Sequence, residues 1–166
     1  MSITLHGSLV SVSKFGVLII GESGTGKSEA ALKLISKGHR LVADDVVEVV
    51  RDGNSLIGSA PPRLGGILEV RGIGFVDAAK LFGIKSVKDR NRVDLFVELV
   101  SPPAAAGIEM SRTKNSMGVL GIEVPRFLFA VGTNRDLALF IETATQVFAN
   151  PQALVTDEEI IRKPDR

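Results

Sequence analysis

Gly16-Val-Leu-Ile-Ile20, Gly21-Glu-Ser-Gly-Thr-Gly-Lys-Ser28 and Glu29-Ala-Ala-Leu-Lys-Leu-Ile-Ser-Lys37 run on from one another and decide how the chain folds. The first is a short apolar run, as in a strand covered on both faces. The last has helical spacing, with Ala31, Leu34 and Ile35 on one face. Gly38 marks a stop for that helix. The middle segment fits G-x-x-x-x-G-K-[ST] at every fixed position. Glycines there let backbone N–H groups wrap an anion without Cβ clashes. A helix over 27–37 turns its unpaired N–H groups and its dipole toward the same anion. Gly21, Glu22, Ser23, Gly24, Thr25, Gly26, Lys27 and Ser28 therefore form the expected phosphate cradle. Lys27 supplies a mobile charge for the β/γ-phosphates, and the Ser28 hydroxyl a ligand for Mg²⁺.

A phosphate loop of this type expects a carboxylate at the end of a neighbouring strand. Leu41-Val-Ala43 reads as a buried strand and runs into Asp44-Asp45. Adjacent residues point different ways, so one aspartate can serve the metal while the other faces a substrate hydroxyl. Further along, Glu69 and Arg71 lie two apart and share one face of a short strand, Ile67–Val70. A carboxylate for metal and a guanidinium for phosphoryl oxygens suit phosphoryl transfer, although the same spacing makes an ordinary surface ion pair. His6 and His39 are the only histidines. Taken alone, each reads as structural, His39 at a helix end where a cation suits the dipole. Arg112 and Lys114 fall in a loop rich in Pro and Ala, Ser101–Lys114, and read as solvated charge. Arg135, at the start of a helix, weakly suggests an anionic partner.

The remaining pattern fills in a mixed β-sheet with flanking helices, an α/β fold. Ser2–Ser13 alternates and reads as a strand pair or one bent strand. Val46–Arg51 and Ser55–Gly58 flank Asp52-Gly53-Asn54, a hairpin signal. Val76–Phe82 reads as a short helix and Val93–Val100 as a strand. Val119–Val131, broken at Pro125, reads as two short strands or an edge strand. Arg135–Phe148 reads as an amphipathic helix, and Asp157–Arg166 as a polar, fraying tail. Residues 1–150 are expected to form one catalytic domain, with 151–166 as its tail.

Composition excludes several classes. The chain has 166 residues, a net charge of +1, 45% hydrophobic residues and no cysteine. That is a globular balance, with no basic surface for nucleic acid and no apolar run long enough for a membrane. Thiolate nucleophiles and zinc–cysteine sites are ruled out. The absence of a visible secretory signal points to a cytoplasmic protein. Tyr and Trp are absent, so a nucleobase has only Phe or aliphatic side chains to lie on.

His6-Gly7, Gly21–Ser28, Gly38-His-Arg-Leu-Val-Ala-Asp-Asp45, Ala60-Pro-Pro62, Leu68-Glu-Val-Arg-Gly-Ile-Gly74 and Leu81-Phe-Gly83 follow one another in that order. Together they resemble the catalytic domain of HPr kinase/phosphorylase, in a form without the family's N-terminal domain. The resemblance implies an Mg²⁺-dependent kinase that moves a phosphoryl group from ATP or pyrophosphate to a serine of the phosphocarrier HPr, with a reverse phosphorolysis. It also implies a homo-oligomer, a hexamer in this family. It gives His6, Lys27, Asp44, Arg71 and Arg112 as catalytic residues, with Asp44 taking the seryl proton. Ser28, Asp45 and Glu69 would hold the Mg²⁺. Other readings of the same residues are a kinase for a different protein or a small alcohol, and a silent nucleotide-sensing module.

Overall fold

The computed structural model describes residues 1–101, 115–132 and 135–164. Twelve strands and four α-helices are defined among them. The strands are β1 (Ser2–His6), β2 (Ser8–Val12), β3 (Phe15–Gly21), β4 (Arg40–Ala43), β5 (Val46–Asp52), β6 (Ser55–Ser59), β7 (Ile67–Val70), β8 (Gly74–Asp77), β9 (Arg90–Arg92), β10 (Leu95–Val100), β11 (Ser116–Val119) and β12 (Ile122–Ala130). The helices are α1 (Lys27–Ser36), α2 (Ala78–Phe82), α3 (Leu137–Ala149) and α4 (Asp157–Arg162).

The central sheet has six strands in the order β11-β12-β10-β3-β2-β4. Strands β3, β10 and β12 run parallel; β2 runs antiparallel to β3, and β4, antiparallel to β2, returns to the direction of β3. A second sheet, β1-β5-β6-β9, lies against one face, and β7 with β8 forms a separate hairpin. Side chains of β3 divide between the two faces as the pleat requires. Val17 and Ile19 join Ala31, Leu34 and Ile35 of α1 and Ile141 of α3 in one buried cluster. Leu18 joins Phe96, Val47, Val49 and Leu56 in the other. The result is three layers: helices, central sheet, second sheet. This explains why β3 is apolar at consecutive positions, since neither face meets water.

Ser2–Ser13 does form two strands, but they do not pair with each other. Strand β1 pairs with β5, whereas β2 pairs with β3 and β4. Gly7 is the crossing point. A Cβ on it would come within 2.5 Å of the Ile19 carbonyl, so a side chain there would force the strands apart.

Three other expectations need correction. Val119–Val131 is neither two strands nor an edge, because Pro125 sits inside the continuous β12, between β11 and β10. Pro125 lies opposite Ser116, and pairing with β10 starts one residue later at Arg126, so the missing N–H falls outside that ladder. Val76–Phe82 is not all helix: β8 runs to Asp77, whose side chain caps α2 by accepting from the Lys80 N–H. The Asp157–Arg166 tail contains α4, closed by a capping box between Thr156 and Glu159. Arg90-Asn-Arg92, to which the sequence pattern assigns no element, is a strand on the edge of the second sheet.

His39 takes its structural place. Its Nε2 lies 3.3 Å from Glu142, which also pairs with Lys37, and the three tie the end of α1 to α3. Among the described residues no helix is long and apolar enough to cross a membrane.

Candidate active site

The phosphate loop leaves the end of β3 and enters α1 at Lys27. Gly24 and Gly26 take left-handed backbone angles, φ 85° and 95°, that open the amide cradle. Thr25 Oγ1 donates to the Glu22 carbonyl at 2.7 Å and closes the turn. Lys27 Nζ donates to the Gly21 and Glu22 carbonyls at 2.8 and 2.9 Å, so the ammonium lies across the loop. Burial pushes its pKa below the ordinary lysine range, while Asp45, Asp44 and Glu29 pull the other way.

The two aspartates after β4 have separate surroundings. Asp44 is buried, at 6% exposure. Its Oδ1 accepts from Ser8 Oγ at 2.6 Å and from Ser28 Oγ at 3.0 Å. Its Oδ2 accepts from Ser28 Oγ at 3.2 Å and from the Glu69 N–H at 3.2 Å. Asp45 turns the other way, through a backbone φ of 66°. Its carboxylate is largely exposed and lies 3.2 Å from His6 Nδ1. The Asp45 carbonyl accepts from the Gly7 N–H at 3.1 Å, which fixes β1 beside it.

A cavity of about 170 Å³ joins these groups. His6, Lys27, Ser28, Asp45, Glu69 and Arg71 all line it. Asp44 does not: it stands behind Ser28. Glu29, from the first turn of α1, adds a carboxylate to the wall. Of the expected site residues, Arg112 lies outside the described residues, as does Lys114. Arg135 is turned to Phe129, with its guanidinium 5.6 Å from the ring.

Ser8 was missed by the sequence reading. It is a buried hydroxyl in a strand whose other polar residue is Ser11, and its side chain donates to Asp44. The alternation of β2 marks it as an ordinary polar position. Only the fold shows that β2 lies beside β4 and so brings Ser8 to Asp44.

The donors around the cavity are suited to a hard dication. The Ser28 hydroxyl and the Glu69 and Asp45 carboxylates are oxygen ligands. Among the described residues no group of three or more carboxylates or imidazoles converges as a cage. Mg²⁺ does not need one: it is commonly held by one or two protein oxygens together with phosphate and water. The residues present therefore fit Mg²⁺ carried in with a phosphate.

Comparisons with known proteins point to one family. The family model described as HPr Serine kinase C-terminal domain matches residues 1–163. The HPr kinase/phosphorylase of Caldicellulosiruptor bescii is 42% identical over 144 residues, covering 86% of this chain and 46% of that protein. The enzyme of the same name from Lactobacillus acidophilus is 40% identical over 147 residues, covering 87% and 46%. The chain thus spans about half the length of the curated relatives it matches. A solved structure, the Hpr(Ser) kinase/phosphatase from Coxiella burnetii, superposes with a TM-score of 0.83 at 37% identity, covering 91% of this chain and 93% of that one.

Proposed function

The chain belongs to the HPr serine kinase C-terminal domain family, and on that premise we propose that it transfers a phosphoryl group from ATP or pyrophosphate to a serine of an HPr-like phosphocarrier protein. The observation that carries this reading is the division of labour between Asp44 and Asp45 on either side of Ser28.

Asp44 has both oxygens engaged by Ser8, Ser28 and the Glu69 amide, and it is shut off from solvent. It has little capacity left to take a proton from an incoming hydroxyl. Its geometry suits a partner for the metal-binding serine. Asp45 is exposed, faces the cavity with Lys27 in electrostatic reach, and has His6 as its ion-pair partner among the described residues. The proposal therefore exchanges the roles implied by the resemblance: Asp45 is the base, and Asp44 orients Ser28 toward the metal. Ser28 and Glu69 would hold Mg²⁺, which supplies charge neutralisation at the phosphates.

The steps on this chain's own residues are these. The loop amides and Lys27 bind and align the donor phosphates. Asp45 accepts the seryl proton as the serine oxygen bonds to phosphorus and the bond to the leaving phosphate breaks. His6, within 3.2 Å of Asp45, holds that carboxylate in position. Arg71, on the cavity wall, offsets charge on the transferred group. In the reverse direction Asp45 returns the proton to the seryl oxygen while inorganic phosphate attacks. Among the described residues no Phe lines the cavity, which favours recognition of the phosphates over a nucleobase and is compatible with either donor.

The homo-oligomer belongs to the same proposal. Ile73, Phe75 and Ile84 are 79%, 78% and 77% exposed around the β7–β8 hairpin and α2. An apolar patch of this kind suits contact with a second copy.

The test is incubation of the chain with an HPr-type acceptor, Mg²⁺ and either donor. A phosphate ester on a seryl side chain is expected. No ester with ATP or with pyrophosphate would overturn the proposal.

A further inference from the structure

A second cavity, of about 530 Å³, lies away from the phosphate loop. It opens beside Phe15 at the start of β3, whereas the loop leaves the far end of that seven-residue strand. At ~3.3 Å per residue the two are about 20 Å apart along β3. Lys14, Lys88, Arg90 and Arg92 line this cavity, against Asp52 and Asp94. We propose that it is a second anion site, which binds the phosphate group of a small phosphorylated molecule.

The charges on its wall are unequal in number and in freedom. Arg92 is already paired with Asp94 at 3.1 Å. Asp94 is mostly buried and also accepts from the Gly16 N–H at 2.8 Å, so it is turned inward. Lys88 is held by a neutral group: its Nζ donates to Asn91 Oδ1 at 2.6 Å. Asn91 is buried and anchors itself by donating to the Arg92 carbonyl at 2.8 Å. The amide therefore aims the Lys88 ammonium without cancelling its charge. Arg90 and Arg92 lie two apart on β9 and share a face. Lys14 stands in the two-residue turn between β2 and β3, with its ammonium 5.5 Å from the Phe15 ring. Its φ of 74° is one that glycine adopts more easily, yet the position carries a long cationic side chain.

Among the described residues Arg90 and Lys14 thus line the cavity with no carboxylate partner, Lys88 is pre-aimed beside them, and Asp52 is the one wall carboxylate outside the Arg92 pair. Two converging cations plus an oriented third are the recognition chemistry of a phosphate dianion. A cavity of this volume also leaves room for the organic part of a small phosphate ester.

Inorganic phosphate is the probe, titrated into the ¹⁵N-labelled chain at constant ionic strength. Saturable shifts are expected at the Gly16, Asn91 and Arg92 amides, separate from those of Gly24 and Gly26 in the phosphate loop. The exposed double substitution Lys14→Ala with Arg90→Ala should weaken the first set by about tenfold or more and leave the second unchanged. Removing Arg162, which lies far along the chain on α4, should leave both sets unchanged. Absence of saturable shifts at Gly16, Asn91 and Arg92 up to about 20 mM phosphate, well past a millimolar affinity, would overturn the proposal. So would unchanged binding in the double variant.

Discussion

Ser28 Oγ donates to both oxygens of Asp44, at 3.0 and 3.2 Å, and so joins the first turn of α1 to the end of β4. This contact makes the phosphate loop and the aspartate pair one unit. It also distinguishes two adjacent carboxylates: the one behind Ser28 has its lone pairs filled, and the next one is free for chemistry.

Ser8 supports that unit from below. Replacing it with alanine removes the 2.6 Å bond to Asp44 Oδ1 and leaves a buried carboxylate short of a donor. The expected stability loss is about 1 kcal/mol. Asp44 would also orient Ser28 less well, so the Mg²⁺ concentration needed for half-maximal turnover should rise several-fold. A purely structural Ser8 would lower stability with no change in Mg²⁺ dependence. Denaturant melts and Mg²⁺ titrations of activity read the two effects separately.

Gly16 has no room for a side chain. A Cβ there would lie 1.7 Å from the Arg92 carbonyl, so Gly16→Ala must push β9 away from β3. The expected cost is about 2 kcal/mol or more, seen as a lower urea midpoint. An unchanged midpoint would mean that the two sheets are not packed this closely.

Glu142 links stability to pH. Its carboxyl is held below the ordinary range first by the Lys37 hydrogen bond, which burial opposes, with His39 adding a smaller pull in the same direction as Lys37. A depressed carboxylate stabilises the fold above its unfolded value, near 4.5, and this contribution fades as pH falls through the folded value. Glu142→Gln should therefore cost about 0.5 kcal/mol at neutral pH. The difference from wild type should shrink as the pH falls below the unfolded value. Urea melts at both ends of that range give the comparison; a constant difference would contradict it.

The parts of the fold legible in the sequence are those that depend on local signals. The loop at Gly21–Ser28, the helical periods of α1 and α3, and the hairpin turn at Asp52-Gly53-Asn54 each carry their own pattern. The layering did not show, because it depends on distant pairing. Alternation in Ser2–Ser13 gives two strands but cannot say that β1 belongs to one sheet and β2 to the other. Arg90-Asn-Arg92 is a strand only because β6 offers it an edge. The capping box at Thr156 and Glu159 was readable, and the polarity of the tail hid it. For the site, the sequence identified nine residues that do line one cavity: His6, Ser23, Gly24, Gly26, Lys27, Ser28, Asp45, Glu69 and Arg71. It could not assign the aspartates, because that depends on the positive φ of Asp45 and on Ser8, which approaches from another strand.

The central claim is that Asp45 is the base of a seryl phosphoryl transfer. Its most direct measurement is the single-turnover rate of Asp45→Asn with Mg²⁺, ATP and an HPr-type acceptor, with nucleotide affinity measured alongside. A fall of about 100-fold or more in the transfer rate is expected, with nucleotide affinity close to wild type. A wild-type rate in Asp45→Asn, under conditions where the wild-type chain makes seryl phosphate, would contradict the claim.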